Sequence, residues 1–244
     1  MCLLAVFFRV ADDALLVVGA NREEAYARGG LPPQLLDGPT RAVAGLDPLA
    51  GGTWLGVNEH GVLVAVTNRR KTQPPPRPRS RGLLARELLA CPTAASAVEQ
   101  ATRELDSGHY AGCNFFCADR DRAVVLHAGD WLRIRPLPPG LHVLGNDDVN
   151  DATEPRIGYA MWWLHQRVYS RADECVAALK ELCGLCGKEG PDVCFHGKDR
   201  GTVSSSIIVL RDTLRDSVYL HAQGPPDRTP YEDVSALFLA CASG

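Results

Sequence analysis

The chain lacks a long apolar run. Cys2 to Phe8, the uncharged stretch that opens it, falls far short of the ~20 residues a membrane-spanning helix requires, so no transmembrane segment is expected. The same stretch has no basic residues before it, is shorter than most signal-peptide cores, and is followed by Arg9 and Asp12 without a small-residue cleavage site. A secretory leader is therefore not expected, and the location expected is cytoplasmic. An excess of one charge is also missing. Against 26 Lys and Arg stand 29 Asp and Glu, a formal net charge of −3 with the signs interspersed, whereas nucleic-acid binding draws on a broad basic field; no nucleic-acid partner is expected. Internal repeats, a dividing linker and regular strand–helix alternation are absent too, which disfavours a doubly wound parallel sheet. What remains is ordinary globular composition, 45% hydrophobic and 23% charged over 244 residues, enough to bury a core without disulfide staples. Nine cysteines are an awkward odd number for a secreted disulfide framework, but in a reducing compartment they can stay thiols, most of them small core residues.

The order of elements follows from periodicity and punctuation. Cys2 to Arg9 and Leu15 to Ala20 read as two buried strands around an Ala11-Asp12-Asp13 turn. Asn21 to Gly52 dissolves into Gly, Pro and charge and reads as a long functional loop. Thr53 to Val57 and Val62 to Thr67, joined by Asn58-Glu59-His60-Gly61, form the clearest hairpin. The basic, proline-rich stretch at 71–81 cannot be a core element. Helices are expected at Arg81 to Leu89, Ala94 to Leu105 with Thr93 as N-cap, Pro155 to Tyr169 and Ala172 to Leu182. Four strands are expected between Asn114 and Leu144, and closing strands at Thr202 to Leu210, Ser217 to Ala222 and Ser235 to Ala240. Antiparallel runs with helices in pairs between them fit an α+β fold of two stacked antiparallel sheets covered by helices, in one domain over 1–244.

Cys2 carries the most chemical information. Its side chain is small enough for the initiator Met to be removed, which would leave a thiol and a free amine on one residue, and an α-amine with a pKa of about 7.7–8.0 can serve as base for that thiol. A nearby Arg22 is expected to favour the thiolate. Further along stand Asn21-Arg22-Glu23-Glu24, Gly51-Gly52-Thr53-Trp54-Leu55-Gly56, Thr67-Asn68, Tyr110-Ala111-Gly112-Cys113-Asn114-Phe115, Gly145-Asn146 and Gly201-Thr202-Val203-Ser204-Ser205-Ser206. Together with Met1-Cys2 this set resembles the family named for an Asn-Arg-Asp-Glu (NRDE) motif, the transport and Golgi organization protein 2 family, from Met1 to about Leu210. The resemblance implies an N-terminal nucleophile hydrolase-like fold, the four-layer α-β-β-α sandwich. Gly56 to Asn68 is also similar to the hairpin of conjugated bile acid hydrolases and penicillin V acylases, which ends with an oxyanion-hole Asn. Carried over, Cys2 is the nucleophile, its amine the base, Asn68 an oxyanion donor and Asn146 a second polar group that positions the amine or the tetrahedral oxygen. Arg22 and Glu24 join this catalytic set, while Asn21, Glu23, Trp54, Thr202 and Ser204 become candidate substrate contacts. Two positions depart from the family pattern: Glu23 stands where Asp is usual, and Val203 where many members carry Arg. Apart from the resemblance, Asn21 to Glu24 also reads as a capped, solvated turn.

Cys183, Cys186, Cys194 and His196 give C-x2-C-x7-C-x-H, four ligands of types zinc accepts. The spacing is not a familiar finger pattern, and a loop of reduced thiols explains it equally well, so no cofactor is required. Cys91-Pro92, a dipeptide associated with haem contact, reads equally as the approach to a helix. Two functions are open at this point: a cysteine amidohydrolase acting on a small-molecule amide, and, because eukaryotic members of the family are linked to haem mobilisation, a haem carrier on a catalytically vestigial fold.

Overall fold

The structure is a computed structural model that describes residues 2–187 and 190–242. Its first half runs β1 (Leu3–Phe8), β2 (Leu16–Ala25), β3 (Leu31–Leu36), β4 (Ala42–Leu46), β5 (Leu55–Asn58), β6 (Leu63–Asn68), α1 (Arg81–Leu88) and α2 (Ala94–Asp106). There follow β7 (Cys113–Ala118), β8 (Ala123–Ala128), β9 (Leu132–Leu137), β10 (Gly140–Leu144), α3 (Pro155–Leu164) and α4 (Ala172–Cys183). The chain ends with β11 (Arg200–Leu210), β12 (Val218–Ala222), β13 (Glu232–Asp233) and α5 (Ala236–Cys241). Contacts divide it into two compact units, Met1–Gly29 with Pro139–Phe238, and Gly30–Pro138 with Leu239–Gly244. Each is built on an antiparallel sheet.

In the first unit the sheet order is β10-β1-β2-β11-β12-β13. β1 is buried along its whole length, which is why Leu3 to Phe8 is a continuous apolar run rather than an alternating one. Leu3, Ala5, Phe7, Val17, Ile207 and Val209 pack with Ile157, Ala160, Leu164, Leu179 and Leu182 of α3 and α4. Since strand side chains alternate, the odd-numbered residues of β1 face these helices and the even-numbered ones the other way. Gly19 allows the close approach: a Cβ there would lie 3.0 Å from Leu179 Cδ2. α3 starts where the Glu154 side chain accepts from the Ile157 N–H, 2.8 Å, with Pro155 at the first helical position.

The second unit has the order β3-β4-β5-β6-β7-β8-β9, with α1 and α2 packed on the face that presents Ala42, Ala44, Val62, Val64, Phe115 and Cys117. Thr93 caps α2 as expected, and the capping box closes on Ser96. The β5–β6 turn places Gly61 at φ 77°, the left-handed conformation that favours Gly. Its anchor is Asn58, wholly buried: the side-chain amide donates to the Leu89 and Cys91 carbonyls at 2.9 and 2.7 Å, and Oδ1 accepts from the His60 and Val62 N–H groups at 3.0 and 2.9 Å. Asn58→Ala orphans the Leu89 and Cys91 carbonyls and the Val62 N–H, buried groups each worth ~1–3 kcal/mol, so a loss of at least ~3 kcal/mol is expected in urea unfolding.

Three expectations are corrected. Asn21 to Gly52 is not a long loop, because β2 continues through Ala25 and β3 and β4 follow. Pro32 and Pro33 concealed β3, but β3 is an edge strand, where proline is tolerated. Ser235 to Ala240 is not a strand; the segment forms α5, and short apolar runs suit either element until tertiary packing decides. α3 stops at Leu164 instead of reaching Tyr169, with His165 as its C-cap.

Candidate active site

The sheet of the first unit brings part of the expected set to one end. Leu3 pairs with Asn21 and Leu4 with Leu144, so Cys2, one residue earlier, comes level with Arg22 on β2 and with Asn146 just past β10. Arg22 pairs in turn with Ser204 on β11. Cys2, Arg22 and Ser204 thus share a row, and alternation puts their side chains on the face away from α3 and α4. Arg22 is buried, 6% exposed; its guanidinium donates to the Gly29 carbonyl and lies 3.7 Å from Glu24 Oε2, which Arg28 also approaches at 3.8 Å. Farther along this face Ser206 Oγ and His221 Nδ1 are 3.0 Å apart, and burial pushes the His221 imidazole below its ordinary value.

Alternation sends the other half of the motif elsewhere. Asn21 turns to the helices and donates to the Cys183 and Val193 carbonyls at 2.9 and 3.0 Å. Glu23 forms a two-pronged ion pair with Arg156 of α3, its side chain 1% exposed. Arg156 also donates to the Val193 carbonyl, 3.2 Å. Thr202, opposite Glu23, fastens the neighbouring segment: its Oγ1 accepts from the Phe195 N–H at 2.9 Å, and its own N–H donates to the Phe195 carbonyl at 2.7 Å. Asn21, Glu23 and Thr202 therefore hold β2, α3 and the approach to β11 together, and do not share the face of Cys2. Glu23 and Arg156 do line a separate cavity of about 420 Å³ with Phe195 and Arg200. The reading of Asn21 to Glu24 as a solvated turn fails, because these residues lie within a central strand and Asn21, Arg22 and Glu23 are buried.

In the second unit Asn68 ends β6, level with Cys113, and is exposed. Trp54 lies against Gly45, where a Cβ would come within 2.6 Å of the indole, and its carbonyl accepts from the Val66 N–H at 2.9 Å. These contacts make Trp54 a packing residue of β4 to β6.

Electrostatics at Cys2 differ from expectation. Burial dominates and raises the thiol above its ordinary value, while the Glu23 backbone N–H, hydrogen-bonded to sulfur, and the nearby Arg22 only partly offset it. Burial thus favours the protonated thiol at Cys2 over a standing thiolate.

The cysteine-rich segment is also regrouped. Cys183 is buried at the end of α4, its thiol beside Ser205 and Tyr231, whereas Cys186, Cys194 and His196 gather with Asp227, all ligand atoms within 4.8 Å of one another. Sequence reasoning missed both Asp227 and Arg156, since each meets its partners only through long-range packing and neither stands in a motif.

Comparison with known proteins gives a consistent picture. A family model described as transport and Golgi organisation 2 matches residues 1–212. The mouse transport and Golgi organization 2 homolog is 33% identical over 161 residues, and the human homolog 31% over 161 residues. Each match takes in 60% of this chain and 57% of the relative, so it spans little more than half the length of those curated proteins. Among solved structures, a Caenorhabditis elegans N-acylethanolamine-hydrolyzing acid amidase ortholog superposes with a TM-score of 0.62 at 16% identity, covering 87% of this chain and 95% of its own. Penicillin V acylase from Agrobacterium tumefaciens gives 0.56 at 13% identity, covering 98% and 88%. The C2A mutant of the Clostridium perfringens conjugated bile acid hydrolase gives 0.52 at 12%, covering 97% and 93%. At such low identities these likenesses speak for the fold, an α+β arrangement of antiparallel sheets with helices, as in the N-terminal nucleophile hydrolases. No helix among the described residues is long and apolar enough to cross a membrane. With its model matched across most of the chain, this protein belongs to the transport and Golgi organisation 2 family.

Proposed function

We propose that the protein is a cysteine N-terminal nucleophile amidohydrolase that cleaves a non-peptide amide, with Cys2 as nucleophile once Met1 has been removed. The observation that carries this reading is the position of Cys2 at the head of β1, level with Arg22, Ser204 and Asn146 on the sheet face away from α3 and α4, in a fold shared with amidases and acylases. A thiol raised by burial needs a base within reach, and removal of Met1 places an α-amine of pKa ~8 on the same residue. That amine takes the thiol proton as sulfur attacks the acyl carbon. The C–N bond then breaks, the departing amine receives the proton, and water hydrolyses the thioester to free acid and thiol. Negative charge develops on the carbonyl oxygen, and a preorganised side-chain amide, for which Asn68 and Asn146 are the candidates, stabilises it by ~2.7–4 kcal/mol.

The test combines mass with turnover. Protein made in a bacterial cytosol is expected to have an intact mass without Met1 and to release the chromophore from at least one member of a panel of N-acyl amides. Complete retention of Met1 with a blank panel would overturn the reading. Saturable haem binding alongside a blank panel would replace it with a carrier.

A further inference from the structure

We propose that Cys186, Cys194, His196 and Asp227 form a tetrahedral site for zinc or a similar divalent transition metal, built from residues outside the row of Cys2, Arg22 and Ser204. The cluster lies within one unit, on segments already fixed by backbone contacts. Cys186 follows the C-terminus of α4, in a loop closed where the Leu185 carbonyl accepts from the Val193 and Cys194 N–H groups at 3.0 and 2.8 Å. Cys194 and His196 flank Phe195, which Thr202 clamps to β11, and His196 makes a β-bridge with Gly201. Asp227 comes from the loop after β12, where the Arg228 and Thr229 N–H groups donate to the Pro225 carbonyl at 3.0 and 2.9 Å.

Distances within the cluster match a metal polyhedron slightly contracted. Cys194 Sγ lies 3.2 Å from Asp227 Oδ1 and 3.8 Å from His196 Nε2, and His196 Nε2 lies 3.0 Å from both Asp227 oxygens. Metal–ligand bonds of ~2.0–2.3 Å at tetrahedral angles set ligand atoms about 3.3–3.8 Å apart. A second use of the same residues, as a Cys-His-Asp catalytic relay, fails on geometry. Such a relay needs the carboxylate on one imidazole nitrogen and the thiol on the other, whereas here both converge on Nε2. Two sulfurs, a carboxylate and one imidazole nitrogen gathered within 4.8 Å of one another are what a metal centre needs.

Burial and charge agree with coordination. Cys194 is buried and Cys186 partly so, while His196 and Asp227 stand at the surface with side chains 27% and 19% exposed. Two thiolates, one carboxylate and a neutral imidazole around a divalent ion leave one net negative charge, and Arg228, 3.2 Å from Asp227 Oδ2, lies beside it. Cys186 and Asp227 also line a surface cavity of about 470 Å³, which provides an entry path. Metal binding would join the α4 end, the approach to β11 and the β12 loop.

The full-length protein, purified under reducing conditions and loaded with zinc, is expected to hold one zinc per chain and to release two protons per ion as the thiols ionise. Cobalt(II) in its place should give thiolate-to-metal charge transfer and the intense d–d bands of tetrahedral coordination. Loss of an outer-shell partner costs about 10–100-fold in metal affinity. Removing a direct ligand in Cys194→Ser or Asp227→Ala is therefore expected to cost at least ~100-fold, read by competition with a chromophoric chelator. Asp227 stands in a surface loop, so its variant tests the site even if Cys194→Ser folds poorly. Cys183→Ser should bind zinc as the parent does. Sub-stoichiometric zinc, an octahedral cobalt spectrum, or loss of binding in Cys183→Ser with retention in Asp227→Ala would overturn the proposal.

Discussion

On the proposed mechanism, Cys2→Ala is expected to lower amide turnover by at least ~10⁴-fold, because without the proposed nucleophile only binding and oxyanion stabilisation remain. Asn68→Ala is expected to cost about 10²–10³-fold in kcat if Asn68 donates to the oxyanion. Neither change should lower the thermal midpoint much. Asn68 is exposed at a strand end, and surface substitutions of this kind usually move stability by no more than ~0.5 kcal/mol. An Asn68→Ala enzyme with unchanged kcat would transfer the oxyanion role to Asn146, and a Cys2→Ala enzyme with parental turnover would end the nucleophile assignment. Cys2→Ser, which keeps size and polarity but has a far weaker nucleophile, separates loss of chemistry from loss of packing.

A large loss of stability is expected at the buried ion pair between Glu23 and Arg156. Glu23→Ala leaves the Arg156 guanidinium, 14% exposed, facing its former partner's site without a counter-charge. Breaking a buried pair from one side costs ~3–5 kcal/mol. For a chain of this length each kcal/mol corresponds to roughly 2–4 °C, so a drop in midpoint of about 6–20 °C is expected by calorimetry. Arg156 Nε is already buried with no hydrogen-bond partner among the described residues, which leaves it poorly placed to compensate. The double variant Glu23→Leu with Arg156→Met should recover a large part of the loss, because an apolar pair of similar volume removes the uncompensated charge. A single-variant cost below ~1 kcal/mol would mean that water reaches the pair in solution. Glu23 stands where Asp is usual in the family, and its extra methylene extends the carboxylate toward the guanidinium on α3.

The sequence by itself determined the local elements and the chemistry available to them. The uninterrupted apolar run of β1, the Gly61 hairpin, the cap at Thr93 and the helical stripes of α1 to α4 are encoded by neighbours a few residues apart, where periodicity and capping act. Cys2 stood out for the same reason, since its thiol and future amine belong to one residue. Tertiary structure decided which side chains share a face. Asn21, Arg22, Glu23 and Glu24 are contiguous and read as one motif, yet the two-residue repeat of β2 commits Asn21 and Glu23 to the helices and leaves Arg22 on the face of Cys2. β3 could be recognised only after β4 supplied its hydrogen-bond partner, because its prolines argue against a strand when the edge position is unknown. The metal-ligand cluster shows the same limit. C-x2-C-x7-C-x-H suggested Cys183, but the end of α4 turns that thiol toward Ser205 and Tyr231, and Asp227 takes the fourth place from a loop 33 residues beyond Cys194. No local pattern could have named it, because the contact exists only once β11 and β12 pair and carry that loop back to the end of α4.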